Sequence, residues 1–365
     1  MTYLTTAAVV HEPHGPFSLE SVELDTLAPK EVLIDIDACG ICHTDAKFQE
    51  LLPLPGVFGH EGTGTVREVG KEVSQTQAGE RVILSYPFCT ACPSCSKGEP
   101  YRCENIPALK FGGQRLDGSK TIRLNGKPIT SSFFQQSSFA RAAVVVEQAV
   151  VPINQDIEPE MLAALPCGIQ TGAGAIFNTF QPEPGDALLV IGAGAVGLSA
   201  IMAARVAGMF PIICADFNDE RLQLAKELGA SHTVNPSQED LPARVKQLRP
   251  RGVRFALDSS ASVAGLNNAI SSIGQGGQVG IVSYPKGGEV FPFNTRELFL
   301  KVANIVSIVQ GYSIPRLLLP RLLQLQQAGR FPYQKLISTY AFEDINQAFA
   351  DTEKGSAVKA VLLMN

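Results

Sequence analysis

Apolar and polar residues alternate along the first part of the chain. Residues 31–38 read EVLIDIDA, and residues 64–69 and 81–85 repeat the alternation less regularly. A period of two is typical of strands that bury one face, so we expect an antiparallel, barrel-like domain here. Residues 87–138 form a long segment rich in Cys, Gly, Pro and Ser. A connection of this length is unusual in a compact domain unless it is held in place, for example by a bound metal ion.

From about residue 160 the pattern changes to short apolar runs separated by stretches of helical period. The apolar runs span residues 187–191, 212–215, 255–257 and 279–283, and the helical stretches span residues 195–207, 221–228 and 263–273. This alternation predicts a parallel, doubly wound sheet, the Rossmann arrangement. The tail is expected to form a helix over residues 315–328 and a strand over residues 358–363 that pairs with the first domain.

Composition and charge narrow the functional class. The 365 residues, at about 150 per domain, indicate two or three domains. The formal net charge of -5 offers no basic surface, so we do not expect nucleic acid as a partner. The sequence contains no apolar run of about 18 residues and no leader-like N-terminus, so we expect a soluble, cytoplasmic protein without a membrane span. Eight cysteines in such a chain need an explanation other than disulfides.

A glycine-rich turn separates the first apolar run from the first helical stretch of the second half. It reads Gly192-Ala193-Gly194-Ala195-Val196-Gly197. In a dinucleotide site, the first glycine allows a tight turn, the second lets a pyrophosphate approach the backbone, and the third lets helix and strand pack closely. An ordinary strand-to-helix turn of small residues is the alternative.

Asp216 supports the dinucleotide interpretation. It ends the second predicted strand, nineteen residues after Gly197, where a carboxylate accepts both ribose hydroxyls of NAD and repels a 2′-phosphate. The sequence therefore predicts NAD rather than NADP as the cofactor. Arg221, five residues later, either contacts the ribose or is a solvated helix residue.

Four cysteines follow the spacing C-x2-C-x2-C-x7-C, at Cys89, Cys92, Cys95 and Cys103. Four thiolates this close together can form a tetrahedral zinc site and order a loop that has no core of its own. Disulfides are disfavoured in a reducing compartment, and the bacterial iron–sulfur motif continues with x3-C-P after the shared start. We interpret the cluster as a closed, structural zinc site.

A second set of metal-binding residue types is dispersed along the chain, at Cys42, His60 with the adjacent Glu61, and Cys167. A catalytic zinc needs about three protein ligands and an open position. Each residue alone also fits a small buried cysteine or an ordinary core histidine. We expect Cys39 and Cys214 to be such buried residues, although Cys39 and Cys42 share the C-x-x-C spacing of a redox pair.

Four motifs together resemble those of the zinc-dependent medium-chain alcohol dehydrogenases, in the same order and over almost the whole chain. They are the CHTD run at residues 42–45, the glycine-rich stretch 59–73, the four-cysteine segment and the glycine-rich turn. Residues 133–139, 165–175 and 331–332 look more specifically like the aryl-alcohol (benzyl alcohol) dehydrogenases.

The resemblance implies the fold and the metal ligands. A GroES-like β-barrel catalytic domain would cover residues 1–168 and 309–365, and a Rossmann NAD-binding domain residues 169–308. The catalytic zinc ligands would be Cys42, His60 and Cys167, with Glu61 behind the metal or as an occasional ligand, and Asp45 holding the other ring nitrogen of His60. With the four-cysteine site, the chain would bind two zinc ions.

The resemblance also implies roles around the reacting alcohol. Thr44 would hydrogen-bond the alcohol, His43 would contact the coenzyme pyrophosphate, and Thr171 would lie beside the nicotinamide. The substrate pocket would include Ser85, Phe134 and Tyr284, and the small Ser85 suggests room for an aryl or bulky allylic alcohol. Lys47 stands where many relatives carry a histidine that ends a proton relay, and we expect it to point to solvent.

The function implied is reversible, NAD-dependent oxidation of an aromatic or bulky hydrophobic primary alcohol to its aldehyde. A glutathione-linked formaldehyde dehydrogenase or a secondary-alcohol dehydrogenase is the alternative within enzymes, and a catalytically inactive dinucleotide-binding protein is the alternative outside them. We expect a homodimer or homotetramer. Residues 278–283 would be either an edge strand that pairs subunits or an internal strand.

Overall fold

The computed structural model describes residues 3–284 and 292–364, and the chain divides into two compact units. The first unit comprises Met1–Cys167, Ile314–Pro320 and Gln334–Asn365. The second comprises Gly168–Ser313 and Arg321–Tyr333.

The sequence-based domain limits differ from these units near the C-terminus. Residues 309–313 and 321–333 lie in the second unit rather than the first. Contacts within the second unit explain the difference. Gln170 Nε2 donates a hydrogen bond to Gln310 Oε1 at 3.0 Å, and the Arg321 guanidinium lies 5.2 Å from the centroid of an aromatic ring of that unit.

Strands predominate in the first unit, whereas strands and helices alternate in the second. In chain order, the strands are β1 (Tyr3–Val10), β2 (Phe17–Leu24), β3 (Glu31–Gly40), β4 (Gly56–Val57), β5 (Gly62–Val69), β6 (Arg81–Leu84), β7 (Ile122–Leu124), β8 (Lys127–Pro128), β9 (Ala142–Val146), β10 (Val150–Pro152), β11 (Leu188–Ile191), β12 (Ile212–Ala215), β13 (His232–Val234), β14 (Val253–Asp258), β15 (Ile273–Ile281), β16 (Asn304–Ser307), β17 (Ile337–Ala341) and β18 (Lys359–Leu363). The helices are α1 (His43–Phe48), α2 (Pro93–Ser96), α3 (Ile106–Phe111), α4 (Pro159–Ala163), α5 (Gln170–Gly174), α6 (Ala195–Val206), α7 (Asp219–Leu228), α8 (Leu241–Leu248), α9 (Val263–Ser272), α10 (Thr295–Leu300), α11 (Pro315–Gln327) and α12 (Ile345–Lys354). None of the helices in the described part of the chain has the length and apolar character needed to cross a bilayer.

The first unit is built on two sheets that share one hydrophobic core. One sheet has the strand order β4-β1-β2-β7-β8, and the other has the order β10-β6-β5-β3-β18-β17 with β9 also paired to β3. The predicted return of the last strand is confirmed, because β18 pairs antiparallel with β3 and aligns Leu362 with Cys39. These antiparallel pairings agree with the barrel-like domain predicted from the alternating segments.

The second unit contains one six-stranded parallel sheet with the order β13-β12-β11-β14-β15-β16. The strand order reverses between β11 and β14, which is the switch point where open α/β sheets bind ligands. The doubly wound sheet is confirmed, with α6, α7 and α9 close to the predicted helical stretches. In α7, Asn218 Oδ1 accepts the Arg221 amide at 3.1 Å, Leu222 and Leu228 are buried, and Gly229 ends the helix with φ 132°.

One edge of this sheet is a strand that the apolar pattern did not predict. The strand at residues 278–283 corresponds to β15, which lies between β14 and β16 and is therefore internal. This edge is formed by β16, whose terminal residues Asn304 and Ser307 are exposed and polar, and β13 forms the opposite edge. The mixed composition of β16 hid it from a search for apolar runs.

A buried ion cluster joins the residues after β2 and the start of β3 to the segment that follows the four cysteines. Arg115 donates from Nε and Nη2 to the two carboxylate oxygens of Glu31 at 2.8 and 2.9 Å. Its Nη1 donates to Asp25 Oδ2 at 2.8 Å, and its Nη2 also donates to the Thr26 carbonyl at 2.9 Å. The bidentate geometry and the burial of both Arg115 and Glu31 make this cluster a strong anchor.

We predict that Arg115→Met lowers the free energy of unfolding by about 3–5 kcal/mol, because it leaves the buried Glu31 carboxylate without its partner. Arg67→Met is the control, since Arg67 pairs with Asp35 at the surface and such pairs contribute about 1 kcal/mol or less. Urea unfolding monitored by circular dichroism measures both changes. Equal shifts for the two variants would contradict the prediction.

Candidate active site

The dispersed donor set begins where β3 gives way to α1. Cys42 directly precedes α1, and Asp45 lies in the first turn of that helix. The Cys42 amide donates to Asp45 Oδ2 at 3.1 Å, so the carboxylate fixes the backbone of the cysteine. Asp45 is fully buried, which keeps these bonds away from water.

His60 and Glu61 lie between β4 and β5, within reach of the same carboxylate. Asp45 Oδ1 lies 2.8 Å from His60 Nδ1 and accepts the Gly59 amide at 3.1 Å. With Nδ1 occupied by Asp45, the Nε2 atom of His60 is left 3.4 Å from the sulfur of Cys167. Burial opposes a charged imidazole, but the Asp45 carboxylate outweighs it and raises the pKa of His60 to about 10.

Cys167 completes the group from a π-helical turn, Leu165–Ile169. Its sulfur lies 4.0 Å from that of Cys42, and the hydrogen bond between the two thiols holds the pKa of Cys42 well below its ordinary value. One donor atom each from Cys42, His60, Glu61 and Cys167 lies within 4.8 Å of the others. The chain thus brings together four residues from three distant segments.

The spacing of these atoms fits zinc. Zn–S bonds of about 2.3 Å in a tetrahedral site separate two sulfurs by about 3.8 Å, close to the distance between Cys42 and Cys167. Glu61 Oε2 pairs with the buried Lys359 ammonium, whereas Glu61 Oε1 is buried without a hydrogen-bond partner. A buried carboxylate oxygen without a partner beside two thiols and an imidazole is explained by a cation at this position.

The four-cysteine cluster forms as the spacing predicts. One sulfur each from Cys89, Cys92, Cys95 and Cys103 lies within 4.8 Å of the others, and the sulfurs of Cys89 and Cys95 are 3.9 Å apart. The amides of Cys89 and Cys92 donate to sulfurs of the cluster, both at 3.3 Å. All eight cysteines of the chain are free. Cys39 and Cys214 are buried and belong to neither group, although the Cys39 sulfur lies next to the backbone of Glu61.

Helix α1 carries the other residues that the sequence assigned to the reaction. Thr44 Oγ1 lies 3.5 Å from the Cys42 sulfur and is therefore next to the dispersed group. His43 is exposed at the first position of the helix, and Lys47 is partly exposed in its last turn. The structure brings Thr44 to the metal-binding group, while the roles of His43 and Lys47 stay predictions.

Two of the predicted pocket residues lie against the dispersed group. The Phe134 ring stacks on the His60 imidazole, with centroids 4.3 Å apart and planes 23° apart. Ser85 follows β6, is buried, and donates from Oγ to the Pro166 carbonyl at 3.4 Å. Tyr284 lies in the second unit after β15, and 60% of its surface is exposed.

Gln136 is a site residue that the sequence did not single out. Its Nε2 donates to the backbone carbonyls of His60 and Ser85, at 3.1 and 3.2 Å. The same segment has positive φ angles of 57°, 51°, 55° and 51° at Ser132, Phe134, Gln135 and Ser137. A non-glycine residue pays conformational free energy at such angles, so the segment is held in place by its contacts.

The glycine-rich turn of the second unit links β11 to α6, as predicted. Gly192 has φ 97°, and a Cβ on Gly197 would lie 1.9 Å from the Gly192 carbonyl oxygen, so both positions require glycine. A Cβ on Gly194 would meet no described atom within 4 Å. This open space beside the N-terminus of α6 fits an incoming pyrophosphate.

Asp216 is hydrogen-bonded to the same turn. Its Oδ2 accepts the Ala193 amide at 2.6 Å, which brings the carboxylate of the second strand to the glycine-rich turn. Arg221 is partly buried in α7, while Thr171 is buried in α5. Val196 packs its backbone against α5, since a Cβ on Gly172 would lie 2.0 Å from the Val196 carbonyl oxygen.

Two buried lysines, Lys359 and Lys110, are further site residues that sequence reasoning missed. Lys359 reaches Glu61 from β18, and Lys110 lies beside the Phe134 ring. A lysine is most often a surface residue, and no local pattern distinguishes these two from the other lysines of the chain.

Comparison with known proteins agrees with this arrangement. Residues 28–155 match the family model described as alcohol dehydrogenase GroES-like domain, and residues 195–325 match the model described as zinc-binding dehydrogenase. The geraniol dehydrogenase of Castellaniella defragrans is 40% identical over 361 residues, covering 98% of this chain and 97% of that protein.

Two solved structures share the whole fold. The alcohol dehydrogenase zinc-binding domain protein from Burkholderia ambifaria has a TM-score of 0.98 and 40% identity over 100% of both chains. The benzyl alcohol dehydrogenase from Acinetobacter calcoaceticus has a TM-score of 0.96 and 36% identity, again over 100% of both chains. The chain therefore belongs to the zinc-dependent medium-chain alcohol dehydrogenases, with a GroES-like domain followed by a Rossmann domain.

Proposed function

We propose that this enzyme uses NAD and zinc to oxidise aromatic or bulky hydrophobic primary alcohols to aldehydes, reversibly. The observation that carries the proposal is the convergence of Cys42, His60 and Cys167 into one group of buried or partly buried donor atoms. Nothing in the fold alone requires metal-binding side chains at three distant positions. This convergence therefore argues against a dinucleotide-binding protein that has lost catalysis.

The metal would be held by Cys42, His60 and Cys167, with Glu61 as an alternative ligand. A zinc ion bound there supplies Lewis acidity, which lowers the pKa of an alcohol hydroxyl toward about 7. Asp45 keeps the His60 ring in the orientation that leaves Nε2 as the donor atom, because it engages Nδ1. Thr44 Oγ1, next to Cys42, would accept the hydroxyl proton and pass it on toward solvent.

The second unit would bind the coenzyme that accepts the hydride. NAD bound there would supply the hydride acceptor, so that loss of a hydride from the alcohol carbon and of a proton from the hydroxyl would give aldehyde, NADH and one proton. The glycine-rich turn would hold the pyrophosphate, Asp216 would accept the ribose hydroxyls, and Arg221 would contact the ribose. His43 would meet the pyrophosphate, and Thr171 would lie beside the nicotinamide.

The substrate class rests on the pocket residues and on the relatives. A small residue at Ser85 and an aromatic one at Phe134 suit an alcohol with a large hydrophobic group, and Tyr284 would form another wall. The geraniol dehydrogenase of Castellaniella and the benzyl alcohol dehydrogenase of Acinetobacter act on such alcohols according to their names. The four-cysteine cluster would hold a second, structural zinc, and a homodimer or homotetramer stays our expectation.

We predict that kcat/KM is at least about tenfold higher for benzyl alcohol, cinnamyl alcohol or geraniol than for ethanol, because the larger groups bury more apolar surface in the pocket. NADH formation measured by absorbance gives these ratios. S-(hydroxymethyl)glutathione serves as a fifth substrate. A higher kcat/KM for ethanol or for the glutathione adduct would reject the proposed substrate class.

We predict two zinc ions per chain, one of which is lost in Cys167→Ala. That variant removes one sulfur from the dispersed group, so activity falls by at least about 10³-fold, since the alcohol hydroxyl then keeps a pKa far above neutrality. Metal analysis by mass spectrometry measures the stoichiometry. Cys214→Ala is the matched control, because Cys214 is buried in β12 of the second unit and belongs to neither group, and this variant should keep both ions. Two zinc ions in Cys167→Ala would disprove the ligand assignment.

We predict that Asp216→Asn lowers the ratio of kcat/KM for NAD over NADP by about 10–100-fold. Asparagine keeps an acceptor for the Ala193 amide but no longer repels a 2′-phosphate. Steady-state kinetics with both coenzymes measure the ratio. Glu220→Ala removes an exposed carboxylate from α7 and should leave the ratio unchanged. An unaltered ratio in Asp216→Asn would remove this residue from coenzyme selection.

A further inference from the structure

Lys110 is a buried cation beside the proposed reaction site. It lies in α3 and is only 2% exposed. Its Nζ atom is 4.5 Å from the ring centroid of Tyr86 and 5.5 Å from that of Phe134. Both rings are themselves buried, so the ammonium lies among aromatic groups rather than in bulk water.

This ammonium differs from the other buried cations of the first unit. Arg115 pairs with two carboxylates, and Lys359 pairs with Glu61 and donates to the Ile41 carbonyl at 3.2 Å. For Lys110, no ion pair with a carboxylate and no hydrogen bond is formed within residues 3–284 and 292–364. An ammonium without such partners is unfavourable in a protein interior.

The two aromatic rings offset only part of the free-energy cost of burying the ammonium. A cation over a ring face is attracted by the ring quadrupole, but an ammonium also carries three N–H donors that seek oxygen acceptors. Burial lowers the pKa of Lys110 to about 8, against the opposing influence of Cys167 and Cys103. Apart from the two rings, the N–H donors of Lys110 have no partner within the described part of the protein.

Lys110 and the proposed metal ligand His60 contact the same aromatic ring. The Phe134 ring, which Lys110 contacts, stacks on the imidazole of His60 with centroids 4.3 Å apart. One aromatic side chain thus contacts both the ammonium and a proposed metal ligand. An alcohol that reacts beside His60 and packs its hydrophobic group along Phe134 would extend toward Lys110.

We propose that Lys110 is a specificity-determining residue that donates a hydrogen bond to an oxygen acceptor, best a carboxylate, on the ring or tail of the alcohol substrate. This inference rests on the proposed function. It adds that the substrate carries a second, oxygen-containing group at a distance from its hydroxyl. Charge-assisted hydrogen bonds are strong, and they are stronger where water is excluded. The enzyme should therefore favour alcohols with a second oxygen function over hydrocarbon alcohols of equal size.

The test compares matched alcohols in the wild-type enzyme and in Lys110→Met. We expect kcat/KM for 3- or 4-(hydroxymethyl)benzoate to exceed that for the corresponding methylbenzyl alcohol by at least about tenfold in the wild type. Lys110→Met should lower this ratio by about 10–100-fold, because methionine keeps the length of the side chain without its charge. Lys110→Arg should keep part of the preference.

Lys127→Met is the control, since Lys127 is an exposed lysine in β8 and its loss should not change the ratio. Thermal melting separates recognition from a structural role. Removing an unpaired buried charge should leave the melting temperature of Lys110→Met unchanged or raise it. A lower melting temperature together with an unchanged ratio would show that Lys110 only supports the fold.

The outcomes also separate this inference from the proposed function. Turnover of benzyl alcohol with equal kcat/KM for carboxylate and methyl substrates would overturn the role of Lys110 and leave the proposed function intact. Absence of turnover with every alcohol, in an enzyme that contains zinc, would overturn the proposed function itself.

Discussion

The buried carboxylate of Asp45 is the interaction on which the dispersed donor group depends. Its Oδ1 engages both the His60 ring and the Gly59 amide, and its Oδ2 accepts the Cys42 amide. A single side chain therefore fixes two donors that lie in different loops, and it selects which nitrogen of the imidazole faces the sulfur atoms. Three N–H groups in turn compensate the burial of the Asp45 charge. Because one carboxylate bonds both loops, the metal-binding atoms of Cys42 and His60 are held in a fixed relative position.

The aromatic segment around Phe134 adds a second constraint to the same group. Four left-handed backbone angles lie within six residues, and the free energy that they cost is offset by contacts of the neighbouring side chains. Gln136 donates to the backbone carbonyls of His60 and Ser85, so one amide holds a proposed metal ligand and a proposed pocket residue. The proposed metal site and the proposed substrate pocket would therefore be held by the same contacts.

The sequence allowed a good prediction of what local patterns and spacing determine. The alternation of short apolar runs with helical stretches, the glycine-rich turn and the four-cysteine spacing can each be recognised in residues close in sequence, and the structure contains the sheet, the turn and the cluster that they predict. The burial of charged groups depends on tertiary packing instead, so the sequence around Lys110 and Lys359 does not indicate that these lysines are buried. The edge strand β16 was missed for a related reason, because its residues are only partly buried and do not form an apolar run.

The two cysteine groups differ in how much of the chain must be in place before each can form. Cys89 and Cys103 are separated by 14 positions, whereas Cys42 and Cys167 are separated by 125. Closing a short loop costs less entropy and does not wait for distant strands. During synthesis the four-cysteine cluster can close while the ribosome is still making the rest of the chain. The dispersed group needs Cys167 in place, and the pairing of its Glu61 with Lys359 can form only after β18 has been made.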